Sequence, residues 1–380
     1  MYKRQIKVET KDPDLYPKFT SQYTDQTVAA NSVIVVCGDK SKVVSNSDMW
    51  ETSTNYQTYQ TQTTGFDGEG QITSAITYVT SENNPKVYWV TGHGEASESD
   101  LSTNFSDAVN KNNVEISDLA LMTDDIPEDA EELVIMSPTT DFSEDEANKV
   151  ITYLENGGKL LMFTSYTGTD MPNLDSILEN YGVKRSSGIV VETDSQHYYP
   201  QMPYYLLPNI QSDDITTEVK SNYILMPVAQ AIQKLDSYRD TITIKSLLTT
   251  TEDAYIENDP ENSTWSKSAD SETGAFDLGV SITETVDDKE TQIIYFSSAS
   301  MLSSQIDQAI SGANSKLAAT ALTSMCDVEQ TVVIPSKSTS YTNLVFTQGA
   351  VNTWSIITIA GIPLVLVVIG VMIWMKRRKQ

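Results

Sequence analysis

Three features of the 380-residue sequence predict its fold class. Short apolar strands alternate with amphipathic helices between about residues 85 and 230. Thr- and Ser-rich alternating strands follow, and a single uncharged apolar run lies near the C-terminus. Together they predict an α/β protein with a parallel, helix-covered sheet, a β-rich continuation and one C-terminal transmembrane helix.

The elements follow in order. Residues 31–45, NSVIVVCGDKSKVVS, read as two short strands around a Gly-Asp-Lys turn. Residues 50–66 are rich in Thr, Gln and Tyr without a helical period and are expected as a loop or edge strand. Residues 69–80 predict a helix with Ile72, Ala75, Ile76 and Val79 on one face. Val87–Val90 is a buried strand, and Leu101, Phe105, Ala108 and Val109 mark the next helix. Leu133–Met136 is a second apolar strand. Ser143 and Glu146 form a capping box for a helix whose stripe is Ala147, Val150, Ile151 and Leu154, ended by Asn156-Gly157-Gly158. Lys159–Phe163 is the third strand. Pro172 opens a helix carrying Leu174, Ile177, Leu178 and Tyr181, and Gly182 closes it. Residues 241–249 and 276–297 predict strands with a turn at Asp287-Asp288-Lys289, residues 250–274 a polar loop, and residues 314–325 a helix. The expected organisation is 1–84 as a partial N-terminal α/β region, 85–230 as the α/β domain and 231–335 as its β-rich continuation. A polar linker (336–353), a transmembrane helix (354–375) and a basic tail (376–380) follow.

The formal net charge is −27. Such a surface repels nucleic acid and anionic lipid headgroups, so no nucleic-acid partner is expected. The acidic loops lack the D-x-[DN]-x-[DN]-G spacing of a calcium loop. Cys37 and Cys326 exclude a disulfide framework but leave one bridge open. Their spacing with His93 and His197 fits no zinc pattern, so neither a metal nor another cofactor is expected. His197 lies in a Tyr/Pro-rich stretch, QHYYPQMPYYLLP, read as a packed irregular loop or a sticky surface.

Residues 354–375, WSIITIAGIPLVLVVIGVMIWM, are uncharged and long enough to cross a bilayer. Trp354 and Trp374 sit where interfacial aromatics belong, and Pro363 is expected to kink the helix. Lys376, Arg377, Arg378 and Lys379 make the C-terminus cytoplasmic by the positive-inside rule. With four of the 25 basic residues in this tail, the remainder sets 21 basic residues against 52 acidic ones, an acidic extracytoplasmic surface. The first residues, MYKRQIKVETKDPDLYPKF, lack the apolar core of an export signal, so either an upstream membrane helix is missing, the favoured expectation, or the C-terminal helix directs export alone.

Several blocks together carry a resemblance: VYWVTGHGE, LVIMSPTTDFSEDEANKVITYLENGGKLLMF, PNLDSILENYGVKRSSGIVVE, and the ending VIPSKS, an apolar helix and WMKRRKQ. In this order they resemble the GldG-type auxiliary component of ABC transporters, a family named for gliding motility. The resemblance covers about residues 26–380. It implies a non-catalytic cell-membrane subunit working with an ABC permease and an ABC ATPase, and an α/β core like that of class I glutamine amidotransferases without their chemistry. No Walker motif is present, so the ATPase is a separate chain. Gly361 and Gly370 offer faces for close packing against a permease helix.

The block YWVTGHGEAS raises three readings of His93. In the amidotransferase-like fold that the resemblance implies, a nucleophile follows a central strand, here at Thr164-Ser165-Tyr166. His93 would have to activate Ser165, with Glu95 orienting it, but no G-x-S-x-G signature supports this. A second reading is a ligand crevice at the carboxyl edge of the sheet, lined by His93, Glu95, Asp141 and Ser165. The third is structural: Gly92 and Gly94 let the chain turn sharply from strand to helix, and Glu95 favours the helix N-terminus. The leading functional expectation is the auxiliary transporter subunit. The alternatives are a cell-surface hydrolase and a free-standing ligand-binding receptor, and a bilayer is a partner in each.

Overall fold

The computed structural model describes residues 6–378 except 14, 17, 25–26, 56–59, 82–83, 262–263, 327–333, 335–336 and 339–345. Lys379 and much of the expected linker lie outside the described residues. The chain divides into two compact units. One is Met1–Pro85, Val109–Glu115 and Asp327–Thr342, and the other is Lys86–Ala108, Ile116–Cys326 and Asn343–Gln380.

In the first unit, β1 (Val33–Cys37) and β2 (Lys40–Val44) form a hairpin whose turn uses Gly38 at a φ of +60°. The segment expected as a loop or edge strand forms a second hairpin, β3 (Trp50–Asn55) and β4 (Gln60–Phe66). The helix α1 (Gly68–Thr80) packs Ala75 with Val44, Met49, Val33 and Val35 in a small core.

The second unit is built on one mixed sheet. Its elements are β5 (Lys86–Thr91), α2 (Thr103–Lys111, less its last three residues), β6 (Glu115–Ala120, less its first residue), β7 (Glu132–Met136), α3 (Glu144–Glu155), β8 (Lys159–Phe163), α4 (Pro172–Asn180) and β9 (Val183–Val191). Then come β10 (Tyr198–Tyr199), β11 (Met202–Leu206), β12 (Asn209–Ile210), β13 (Met226–Pro227), β14 (Gln230–Lys234), β15 (Ile242–Thr249), β16 (Tyr255–Glu257), β17 (Asp277–Val286) and β18 (Lys289–Phe296). The main sheet order is β16-β9-β14-β17-β18-β8-β7-β5-β6, with β15 also on β17 and β12 on β15.

The sequence predicts a parallel sheet, and the run β18-β8-β7-β5 is parallel. The remaining pairings of β9, β14, β15, β16 and β17 are antiparallel, so the sheet is mixed. The reason is local. Asp287 and Asp288 both sit at positive φ, the geometry of a two-residue hairpin, and this turn returns β18 antiparallel to β17. All five residues of β7 are buried, as a strand covered on both faces requires. Ala147, Val150 and Leu154 of α3 and Leu174, Ile177 and Leu178 of α4 pack into the same core as Leu133, Ile135, Leu160 and Met162.

After α5 (Ser304–Ala309) and α6 (Ala313–Met325), the unit ends in a long helix, Gln348–Arg378. It comprises α7 (Gln348–Ile356), a wider π turn at Ile357–Gly361, and α8 (Ile362–Arg378). The helix starts upstream of the apolar run because Thr347 caps it, its hydroxyl accepting from the Ala350 amide at 3.1 Å. The π turn lies just before Pro363, which has no N–H to donate and whose ring crowds the carbonyl four residues earlier.

Both cysteines are free thiols. Cys326 is buried, and its Sγ donates to Glu132 Oε2 at 3.3 Å. Glu132 is itself fully buried at the start of β7. Burial pushes its carboxyl well above the ordinary range, outweighing the thiol bond and the more distant Lys159. A raised carboxyl pKa means the fold binds this proton more tightly than the unfolded chain does. Stability from this group is therefore intact below the ordinary carboxylate pKa and declines as pH rises. Glu132→Gln, which mimics the protonated form, is expected to raise the melting temperature at pH 8 by a few degrees, with the gain vanishing near pH 4. Thermal unfolding of the two full-length proteins across that range checks it; an equal gain at both pH values contradicts the buried-proton assignment.

Candidate functional site

The carboxyl ends of β5, β7, β8 and β18 meet along one edge of the sheet, and their turns are stitched to each other. The Ala96 amide donates to Met136 O at 2.9 Å, Ser137 N to Phe163 O at 2.8 Å, and Thr164 N to Phe296 O at 3.1 Å. Ala299 N returns to Thr164 O at 2.8 Å. Each strand end thus satisfies the next, which is how a buried turn avoids orphaned backbone groups.

His93 lies in the turn after β5 and is only 5% exposed. Gly92 and Gly94, at φ of +121° and +76°, let the chain double back here. No helix begins at Glu95, contrary to the structural reading of the sequence: a short 3₁₀ turn at Glu98–Asp100 and then α2 follow. Glu95 instead folds back, and its Oε2 accepts from the His93 amide at 2.6 Å. The His93 carbonyl accepts from the Thr139 and Thr140 amides at 2.9 and 3.1 Å, fixing this turn to the one after β7.

The imidazole is held between two carboxylates. Nδ1 is 3.4 Å from Glu95 Oε1, within ion-pair range but outside hydrogen-bond geometry, and Nε2 is 3.3 Å from Glu146 Oε2. The ring packs on Phe142 with centroids 4.4 Å apart. Glu146 Oε2 also accepts from the Ser143 amide at 2.8 Å and the Ser143 hydroxyl at 2.7 Å, the predicted capping box of α3. Burial works to raise the Glu146 pKa. The Ser143 hydrogen bonds and His93 outweigh it and hold the carboxyl below the ordinary value.

Asp141 faces a different helix. Its Oδ1 accepts from Leu174 N at 2.9 Å and its Oδ2 from Asn173 N at 3.1 Å, so it caps the first turn of α4, where Met171 has no capping side chain. Ser165 is bonded to Ser137, whose hydroxyl donates to Ser165 Oγ at 2.8 Å. Ser137 stands at a φ of +54°, an uncommon conformation for a side-chain-bearing residue, at the end of the buried strand β7.

Of the four residues singled out in sequence, the structure pairs His93 with Glu95. Asp141 and Ser165 have other partners. Sequence reasoning found Glu146 only as a cap and missed it as the second carboxylate on His93. It also missed Phe142 and Ser137. For Glu146 the only local signal was its place in the capping box of α3; no local pattern marked the other two. Among the described residues no cluster of three or more His, Cys, Asp or Glu side chains is arranged to hold a metal ion.

A mixed α/β domain with a hydrogen-bonded polar edge, followed by a long apolar helix, is the class of protein these features define. Residues 84–324 match the family described as an ABC-type uncharacterized transport system, and the chain belongs to that auxiliary-component family. No curated protein matches it. Among solved structures, the chain is similar to the mmIFT52 N-terminal domain at 15% identity and a TM-score of 0.46, over 63% of this chain and 96% of that one. It is also similar to the exo-beta-1,4-mannosidase Op5Man5 from Opitutaceae bacterium strain TAV5 at 10% identity and a TM-score of 0.33, over 67% and 37%.

Two outcomes test the site. His93→Ala leaves two buried carboxylates facing an empty space and is expected to cost about 1–3 kcal/mol of unfolding free energy in denaturant titration; no loss would contradict the clamp. A depressed carboxyl pKa stabilises the fold above the ordinary carboxylate range, and that contribution is lost as pH falls through the folded value. Glu146→Gln is therefore expected to be less stable than the parent at pH 7 and to converge with it near pH 3, as followed by circular dichroism.

Proposed function

We propose that this protein is a non-catalytic, membrane-anchored auxiliary subunit of an ABC transporter, of the GldG type, whose α/β domain lies on the extracytoplasmic side. The observation that carries the anchoring is the helix Gln348–Arg378. Residues 356–375 of it carry no charged side chain, and their apolar side chains are exposed rather than covered by the rest of the chain. The uncharged run from 354 to 375 is about 33 Å long as a helix, close to the thickness of a bilayer's hydrocarbon core. Trp354 is 61% exposed and Trp374 58% exposed, one near each end. Exposed apolar surface on this scale is stable in lipid and costly in water. Lys376, Arg377 and Arg378 in the last turn support a cytoplasmic C-terminus and hence an extracytoplasmic domain.

Family membership supports partnership with an ABC permease and ATPase. The partners of the edge residues support a non-catalytic role. Both imidazole nitrogens of His93 face carboxylates and Ser165 faces Ser137, whereas a serine nucleophile needs an imidazole against its hydroxyl. We read His93, Glu95, Asp141 and Ser165 as architectural: they lock strand-end turns and helix starts together rather than lining a ligand crevice. The amidotransferase-like core remains part of this proposal.

Purification of the full-length protein from its native membrane in mild detergent is expected to bring down an ABC ATPase and a permease in stoichiometric amounts, identified by mass spectrometry. Recovery of the chain alone in several detergents, with crosslinking, would reject the subunit reading in favour of a free-standing receptor or hydrolase.

A further inference from the structure

The anchoring helix does not leave the domain as a bare tether. Its first turn is held by the segment just before and within the β10–β11 hairpin. Gly349 N donates to Ser195 O at 2.7 Å. The Thr347 hydroxyl donates to Gln196 Oε1 at 3.0 Å, and Gln201 N donates to Gln348 Oε1 at 2.9 Å. Gly349 is where the two segments come closest, since a Cβ there would collide with the Gln196 carboxamide. The hairpin tip is therefore fixed at the point where the helix begins.

The composition of this hairpin differs from the rest of the surface. Residues 195–212 contain no Asp, Glu, Lys or Arg, although at 20% charged a stretch of that length would carry about four. Residues 338–375 are uncharged as well. The hairpin presents Tyr198, Tyr199, Tyr204 and Tyr205 half-buried and Met202 exposed at its tip, and Trp265 packs on Tyr204 with centroids 4.4 Å apart. Tyrosine and tryptophan are the residues that favour the headgroup layer.

The spacing agrees. Gln348 lies six residues before Trp354, about 9 Å along a helix. A headgroup layer extends about 5–8 Å beyond the hydrocarbon core. With Trp354 at the hydrocarbon boundary, the hairpin tip stands at the outer limit of the headgroups. An acidic domain brought this close to headgroup phosphates is least repelled where the segment facing them is uncharged.

We infer that the β10–β11 hairpin is a membrane-facing platform, in which Met202 and the surrounding tyrosines rest on the phospholipid headgroups of the leaflet that the chain's own helix enters. This fixes how the α/β domain stands on the membrane. The inference rests on the anchoring reading above.

The test uses the full-length chain with Cys37→Ala, carrying one fluorophore at a time through Met202→Cys, Ile359→Cys or Asp125→Cys, reconstituted into phosphatidylcholine vesicles. Asp125, whose side chain is 93% exposed, is the solvent reference. Lipids bearing a nitroxide on the headgroup are expected to quench the label at 202 several-fold more than the label at 125. Lipids bearing it deep in the acyl chain are expected to quench the label at 359. If 359 is quenched while 202 matches 125, the platform is refuted and the anchor stands. If 359 is not quenched, the anchor fails and the platform with it.

Discussion

Pairing of β18 with β8 is the constraint on which the second unit depends. Gln292 to Phe296 run parallel to Lys159 to Phe163 in continuous register, and Phe163 and Phe296 stack with centroids 5.1 Å apart. β8 belongs to the early α/β run and β18 is the last strand of the late β-rich run, separated by more than a hundred residues. Joining them makes one sheet from two segments of different character. The strands between them inherit their places: β17 pairs with β18 through the Asp287-Asp288 turn, and β14 and β9 continue outward. Closing such a long loop is entropically costly, and the burial of β7 and of most of β8 and β18 offsets it.

The same junction explains the polar edge. Several strand ends converge with few residues to turn in, so each turn must satisfy the backbone groups of its neighbour. His93 O serves two amides, Ser137 takes up a positive φ, and Asp141 reaches across to cap α4. Side chains whose types suggest chemistry are engaged in these closures. A buried imidazole packed between two carboxylates and an aromatic ring ties the turn after β5 to the start of α3, which suits a domain proposed to hold a shape for partner subunits.

The C-terminal helix follows a different physics. In the proposed arrangement the domain carries its acidic surface away from the bilayer and turns its uncharged hairpin toward it. Three hydrogen bonds at the start of α7 convert a tether into an oriented mount. Below that, the π turn before Pro363 keeps the helix continuous across a residue that cannot donate.

The sequence by itself determined what local patterns control. The helices α3 and α4, with their cap, proline start and glycine stops, are legible because capping and the 3.6-residue period act over a few neighbouring residues. The apolar helix and its basic end are legible because each is an unbroken run of one residue class. Only the tertiary structure decided what depends on distant partners. The late β-rich strands join the parallel run because β18 finds β8. The Thr/Gln-rich segment 50–66 becomes a hairpin because its strands pair with each other. Glu132 binds its proton more tightly than a free carboxyl because burial outweighs its thiol partner, and His93 is held on its second side because Glu146, 53 positions away, reaches its Nε2. A histidine between glycines has the same local sequence whether it faces a serine, a ligand or two carboxylates. Its chemistry is set by which side chains the sheet brings to it, and sheet order is a long-range property.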